Sequence, residues 1–396
     1  MKTHILVAGL VLATAGTVLI YPTLRGHAAG SRPPEQVVPI SAARRVEVVF
    51  VLDTTGSMGG LIHAAKEKIW SIASTLAQAQ QAPEISIGLV AYRDRGDAYV
   101  TQVVDLNRDL DSMYARLMDF AAEGGGDGPE AVNEALDAAI HRMSWSQDRS
   151  TYKVVFLVGD APPHMDYQDG VQYPRVIADA AAKGIVVNTI QCGSMSETVA
   201  PWQHIASLGS GRYFTVEQAG GAVAIATPFD SQIATLSAAL DSTRVYYGTA
   251  QERLAMAAKV AATERLNEEA SIAALARRGA FNVSESGAGN FLGERELVAA
   301  VASGRVDLAA LPPAALPPAV AELPAEQQRT FLAETAKKRE ELQRQIATLA
   351  AERDTYIEDE LEAQGGAAAS LDQRIYDAVR EQAAPLGLDY DDGPSF

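Results

Sequence analysis

The pattern of apolar and polar positions divides the chain into two parts. From residue 46 to about 216, apolar segments of strand length alternate with segments of helical period. A parallel sheet with crossover helices requires this alternation. VEVVFVL (46–52) opens the series as a strand, and MGGLIHAAKEKIWSIASTLAQA (58–79) follows with helical periodicity. ISIGLVAYR (85–93) and YVTQVVDL (99–106) read as strands, and LDSMYARLMDFA (110–121) as a helix. PEAVNEALDAAIHRM (129–143) predicts a helix with Pro129 at its first position, where the missing N–H has no partner to lose. YKVVFLVGD (152–160) reads as a buried strand, YPRVIADAAAKG (173–184) as a helix closed by Gly184, and IVVNTIQCG (185–193) as another strand. GRYFTV (211–216) predicts the last strand and AVAIATPFDSQIATLSAALDS (222–242) the last helix of this half.

After about residue 245 the character changes. Alanine, glutamate and arginine dominate, strand signals vanish, and prolines cluster in LPPAALPPAVAELP (311–324). Residues 325–363 predict one long helix, on which Leu342, Ile346, Leu349 and Tyr356 recur at helical spacing. Such a stripe serves either packing on neighbours or a partner-binding coiled coil. The expected organisation is an α/β domain over 44–243, a doubly wound, mostly parallel sheet flanked by helices. An α-helical C-terminal region over 245–396 follows it. Ahead of the sheet, SRPPEQVVP marks a linker within 31–43.

Residues 1–30 follow a different rule. Lys2 and His4 precede the apolar run ILVAGLVLATAGTVLIY, and Pro22, Arg25 and GHAAG follow it. That order predicts a secretory signal cleaved after Ala28 or Ala29, with an uncleaved N-terminal anchor as the rival. Both place the body outside the cytoplasmic membrane, as a periplasmic, secreted or cell-surface protein.

Composition narrows the partners. The 396 residues carry a formal charge of −17, which argues against nucleic acid and against charge-driven binding to anionic membrane. Membrane contact is expected only through an uncleaved anchor. A single cysteine, Cys192, excludes an internal disulfide and a cysteine-based zinc centre. It lies at a strand end, where it reads as a small buried hydrophobe.

The candidate chemistry begins where the first strand stops. DTTGS (53–57) places Asp53, Thr55 and Ser57 two residues apart on a turning loop, with Gly56 between the hydroxyls. These are hard oxygen donors, suited to Mg²⁺, Mn²⁺ or Ca²⁺. An EF-hand does not fit, because Ala64 stands where its closing glutamate belongs. One charge binds a divalent cation weakly, so further carboxylates are needed. EGGGDGPE (123–130) offers Asp127 beside Gly126 on a glycine run, and VVFLVGDAPPH (154–164) ends in Asp160. In an open parallel sheet, ligands collect beyond the carboxyl ends of the strands. Asp53, Asp127 and Asp160 are therefore expected at one edge.

These three loops, in this order and with this alternation of elements, resemble the von Willebrand factor type A domain over residues 44–243. The resemblance implies a metal-ion-dependent adhesion site holding a divalent cation, Mg²⁺ first, with Mn²⁺ or Ca²⁺ as alternatives. Asp53, Thr55, Ser57 and Asp160 match the motif. The glycine loop lacks the family's usual threonine, and that role is carried to Asp127. The resemblance also implies a non-catalytic protein whose partner, another protein, supplies a carboxylate to the metal.

Other residues admit competing readings. His164 and Asp166 are expected at the rim of the site or in support of it, with an independent metal site as the third reading. Asp94 and Asp97 are expected to order a neighbouring loop, and Arg95-Gly96-Asp97 to reflect chance or turn chemistry rather than integrin recognition. DTTGS also resembles the phosphorylated-aspartate motif of haloacid-dehalogenase-like phosphotransferases and cation pumps, which would make Asp53 a Mg²⁺-dependent nucleophile. Against this, position 55 is threonine where that chemistry expects a second aspartate. No G-x-S-x-G nucleophile elbow is present.

Overall fold

The computed structural model describes residues 44–126, 128–216, 225–363 and 371–390. The expectations for 1–30 and 31–43, and for Asp127, lie outside the described residues.

The first half forms β1 (Arg45–Asp53), a 3₁₀ turn (Gly56–Gly60), α1 (Leu61–Ala77), β2 (Glu84–Tyr92), β3 (Thr101–Asn107), α2 (Leu110–Met118) and α3 (Val132–His141). It continues through β4 (Tyr152–Gly159), α4 (Tyr173–Ala182), β5 (Ile185–Cys192), α5 (Ser196–Leu208) and β6 (Ser210–Val216). The strands make one six-stranded sheet in the order β3-β2-β1-β4-β5-β6. All pairs are parallel except β2 with β3. Chain order reverses between β1 and β4, so the crevice for a ligand opens where these two strands end.

Period-two alternation explains the layers. On β1, Val46, Val48, Phe50 and Leu52 enter one core, while Val49 and Val51 enter the core on the opposite face. On β4, Tyr152, Val154, Phe156 and Val158 face the first core and Val155 and Leu157 the second. Such strands are near-continuously apolar because helices cover both faces, with Glu47 and Lys153 as buried exceptions. Residues of α3, α4 and α5 line the second core, including Val132, Val176 and Trp202.

Two expected helix starts are corrected. The helix expected over 222–242 begins at Asp230. The helix expected from Pro129 begins at Val132. Glu130 instead forms an isolated parallel bridge with Pro163, its N–H donating to Pro162 O at 2.9 Å while its C=O accepts from His164 N at 3.2 Å. That pairing holds Glu130 in a bridge, and the chain bends at Ala131 before the helix starts. Helix α5 has no counterpart among the sequence expectations, because Pro201 inside it and its low apolar periodicity hide the pattern.

The second half is helical: α6 (Asp230–Asp241), α7 (Ala250–Glu269), α8 (Ile272–Val283), α9 (Ala288–Leu292), α10 (Leu297–Ala302), α11 (Pro318–Ala321), α12 (Ala325–Ala363) and α13 (Leu371–Ala383). Three of these helices share the sheet's core. Ile375, Tyr376 and Val379 of α13, with Leu266 and Phe281 from α7 and α8, pack in the same cluster as β1 and β4. Polar contacts fix the register of α13: Tyr152 Oη donates to Gln382 Oε1 at 2.7 Å, and Ser71 Oγ to Asp372 Oδ1 at 2.9 Å. The described residues form one compact unit.

Buried arginines bind the helices to each other. Arg353 Nε reaches Asp230 Oδ1 at 2.7 Å, and Arg339 forks onto Glu296 at 2.8 and 3.0 Å. Arg278 joins Asp111 of α2 to Asp241 of α6. Leu342 and Ile346 of α12 pack into a core with Ile233 of α6, so the apolar stripe of the long helix is used within the chain.

Candidate functional site

Strand β1 ends at Asp53, which lies opposite Tyr92 at the end of β2. Thr54 turns the chain, its N–H and hydroxyl both donating to Tyr92 O at 2.9 and 2.8 Å. The turn aims the next side chains back at Asp53. Thr55 N and Oγ1 donate to Asp53 Oδ1 at 2.8 and 2.6 Å, and Thr55 Oγ1 lies 3.1 Å from Ser57 Oγ. Ser57 Oγ in turn donates to Asp160 Oδ1 at 3.0 Å. Asp160 directly follows β4, and its loop is pinned from α5. Thr198 Oγ1 donates to Asp160 O at 2.8 Å, and Trp202 Nε1 to Ala161 O at 3.0 Å.

The structure therefore brings Asp53, Thr55, Ser57 and Asp160 into one line of oxygens, with neighbouring atoms 2.6–3.1 Å apart. Mg²⁺ in octahedral geometry holds its oxygens at ~2.0–2.1 Å, which puts adjacent ligands about 2.9 Å apart. The donor type and spacing fit a hard divalent cation. Asp53 Oδ2 is buried and has no hydrogen-bond partner among the described residues. Burial pushes the Asp53 carboxyl up to about 7; the Thr55 hydrogen bonds oppose this and the charge of Asp160 adds to it. Burial likewise raises Asp160, partly offset by Ser57. Two carboxyls that resist ionisation gain from a nearby positive charge.

The glycine loop closes over this line. Gly56 N donates to Gly124 O at 3.1 Å, and a Cβ on Gly56 would stand 3.0 Å from that oxygen. Gly124 and Gly125 have φ of +78° and +75°, a backbone that side chains disfavour. Asp97 holds the loop, Oδ2 accepting from Asp94 N at 3.0 Å and Gly125 N at 2.9 Å. Arg95 is engaged by Glu134 and Asp169 at 2.6 and 2.7 Å. The Arg-Gly-Asp tripeptide thus serves this local framework. Gly126 is exposed beside the loop tip.

Asp94, His164 and Asp166 form a separate, adjoining group. His164 is buried, its Nδ1 lying 2.8 Å from Asp166 Oδ1 and its Nε2 3.4 Å from Asp94 Oδ1, with its ring stacked on Tyr167. Among the described residues, no group of three His, Cys, Asp or Glu side chains gathers as a metal cluster. The oxygen line itself consists of two carboxylates and two hydroxyls. Cys192 is buried, and burial pushes its thiol up to about 12, which keeps it unreactive.

Three residues near the line were missed by sequence reasoning. Glu130 is buried beside the glycine loop, and burial with the charges of Asp53, Asp94, Asp97 and Asp160 pushes its carboxyl up to about 9. Tyr92 Oη is buried near Asp53 and unpartnered among the described residues. Gly159 leaves no room for a side chain, since a Cβ there would stand 2.5 Å from Tyr92 Oη and 2.8 Å from Asp53 Cβ. Only the proximity of Glu130 to EGGGDG was visible in one dimension.

The segment that forms the sheet is similar to known proteins. A family model described as von Willebrand factor A domain matches residues 47–228. The von Willebrand factor A domain-containing protein 7 of Rattus norvegicus is 34% identical over 134 residues, covering 34% of this chain and 14% of its own. An alpha-protein kinase of Dictyostelium discoideum is 29% identical over 126 residues, covering 32% of this chain and 20% of its own. The chain thus spans a fifth or less of these curated relatives. A solved von Willebrand factor type A protein from Catenulispora acidiphila is 20% identical, with a TM-score of 0.33 over 44% of this chain and 39% of that one. The family match falls on the segment that carries the sheet and the oxygen line, so a von Willebrand factor A domain is supported over residues 47–228.

Proposed function

We propose that this protein binds a divalent cation, Mg²⁺ before Mn²⁺ or Ca²⁺, at Asp53, Thr55, Ser57 and Asp160, and uses it to recognise another protein. Von Willebrand factor A domains serve protein–protein interaction in general. The finer reading is carried by the unbroken line of oxygens from Asp53 to Asp160, with the exposed Ser57 within it. The cation would supply a positive charge at the sheet edge that a partner's Asp or Glu could complete. Around that edge, Met165 and Val171 after β4 and Met195 after β5 are exposed, giving a docking partner apolar surface beside the charge. The role is recognition without catalysis. An aspartyl nucleophile must meet its substrate, whereas Asp53 is 0% exposed. The apolar run and its flanks in residues 1–30 support reading the protein as exported, acting outside the cytoplasmic membrane. No described helix is long and apolar enough to cross a membrane.

The test is a thermal melt of the full chain in EDTA and then in Mg²⁺, Mn²⁺ or Ca²⁺, beside Asp53→Ala. A ligand at a hundred times its dissociation constant stabilises by about 2.7 kcal/mol. For a unit of this size that is a rise of about 3–4 °C. The rise is expected in the native chain and absent in the variant. The same melt with and without ion would refute the proposal.

A further inference from the structure

We infer that the protein holds a second ligand site, for a small phosphate-bearing anion, in a basic cavity at the end of the sheet opposite the oxygen line. The inference stands on other residues than the cation reading and does not depend on it.

The cavity, of about 410 Å³, lies where β4 begins. Its walls come from three places: the loop from Trp145 to Thr151 that enters β4, the turn at Lys183 between α4 and β5, and Leu386 near the C-terminus. Arg44 Nη1 donates to Leu386 O at 2.7 Å and fixes that last wall. Strand β4 leads from this cavity toward Asp160, so the two sites lie at opposite ends of one strand.

The chain has a formal charge of −17, yet Arg149, Lys153 and Lys183 all line this cavity, and among the described residues no Asp or Glu does. Lys153 carries the argument. It is 4% exposed on a central strand, and a lysine so deep is ordinarily paired with a carboxylate. Among the described residues its ammonium donates only to Lys183 O, at 3.0 Å, which leaves donor capacity to spare. Glu47 stands opposite it in the strand register but accepts from Ser146 N at 2.9 Å, and Asp148 accepts from Ser150. Arg149 makes no hydrogen bond or ion pair among the described residues. Burial pulls the Lys153 ammonium below its ordinary range; Glu47 and Asp148 oppose this, and Arg149 and Lys183 add to it. An anion among the three cations would relieve their repulsion and take up the spare donors. Several cations around one space suit an anion with more than one charge and oxygens on several sides, which a phosphate has and a single carboxylate lacks. The volume falls within the range of small-molecule sites, about 300–1,000 Å³, and so has room for more than the phosphate itself.

The rival role is structural, since Lys183 Nζ also ties Ile140 O at 2.7 Å, as Lys153 ties Lys183 O. Inorganic phosphate and a glycerol phosphate are titrated by calorimetry into the full chain in EDTA and low salt, with sodium chloride at equal ionic strength as the blank. The native chain is compared with Arg149→Gln, Lys153→Met and Arg175→Gln, the last an exposed arginine of α4 outside the cavity. The native chain should bind above the blank. Affinity should fall by about tenfold or more in Arg149→Gln and in Lys153→Met, as for a lost charge-assisted hydrogen bond, and should hold in Arg175→Gln. Arg149 is exposed and unpaired among the described residues, so its variant should melt with the native chain, and a misfolded Lys153→Met cannot account for its loss of affinity. Tighter binding of the ester would assign the site to a phosphorylated small molecule, and tighter binding of inorganic phosphate to the free ion. No binding of either by the native chain, or native affinity in both Arg149→Gln and Lys153→Met, would overturn the inference. An equal loss in Arg175→Gln would show attraction to charge alone and overturn it as well.

Discussion

Replacing Asp111 by alanine should unfasten the helical half from the sheet. Asp111 lies at 0% exposure in the first turn of α2. Arg278 of α8 donates to both of its oxygens at 2.7 and 2.6 Å, and Thr263 of α7 adds a third hydrogen bond at 2.9 Å. Lys259 Nζ stands 3.9 Å away. Removing one partner of a buried ion pair leaves the other charge uncompensated and destabilises by about 3–5 kcal/mol. Arg278 keeps Asp241 at 2.8 Å, which places the expected loss toward the lower end. An unfolding entropy near 2.1 cal/mol/K per residue makes this a fall of about 4–7 °C in the melting temperature of the full chain at pH 7. The pH dependence carries a second signature. Burial alone would raise the Asp111 pKa, but Arg278 and Lys259 outweigh it and hold the carboxyl well below its ordinary range. A depressed folded pKa gives stability that is present above the unfolded value, about 3.9, and is lost as pH falls toward the folded one. The gap between native and variant melts should therefore stay constant from about pH 5 to 8 and narrow below about pH 4. A gap under about 1 °C at neutral pH, or one that widens in acid, would refute the reasoning.

Three further outcomes follow from the same contacts. Truncation after Ala363 removes α13, and with it Ile375, Tyr376 and Val379 from the core shared with β1 and β4. At about 1.5–3 kcal/mol per buried side chain this approaches the whole stability of a typical domain, so the truncated chain should bind a hydrophobic dye and lose its cooperative melt. Gly159→Ala forces a methyl against Tyr92 Oη and Asp53 Cβ. Overpacking of about 1–3 kcal/mol and loss of the cation-induced rise are expected, and a native response to Mg²⁺ would count against the geometry of the site. Asp97→Ala removes the acceptor for Asp94 N and Gly125 N. Cation affinity by calorimetry should fall several-fold and the melt in EDTA should fall by about 1–4 °C, since each of the two bonds contributes about 0.5–1.5 kcal/mol.

The sequence by itself determined the α/β class, the strands of the sheet, the long helix and the hydroxyl motif. Each of these is a local property. Alternation along VEVVFVL and YKVVFLVG is the direct record of strands buried on two faces, and DTTGS carries three donors within five residues. Helix α5 escaped because Pro201 breaks its local signal, and the start of α3 was misplaced because Glu130 answers to a strand partner 33 residues away. The tertiary structure alone decided which residues meet. Asp160 comes to Ser57 across 103 positions, and Arg278 to Asp111 across 167. It also decided that Glu130, unremarkable in GDGPEAV, faces the threonine of the motif, and that α13 returns to fill the core of a sheet begun at Arg45. Periodicity records the face a residue turns inward. It holds no record of what lies opposite, because that is set by the packing of elements whose order in space differs from their order in the chain.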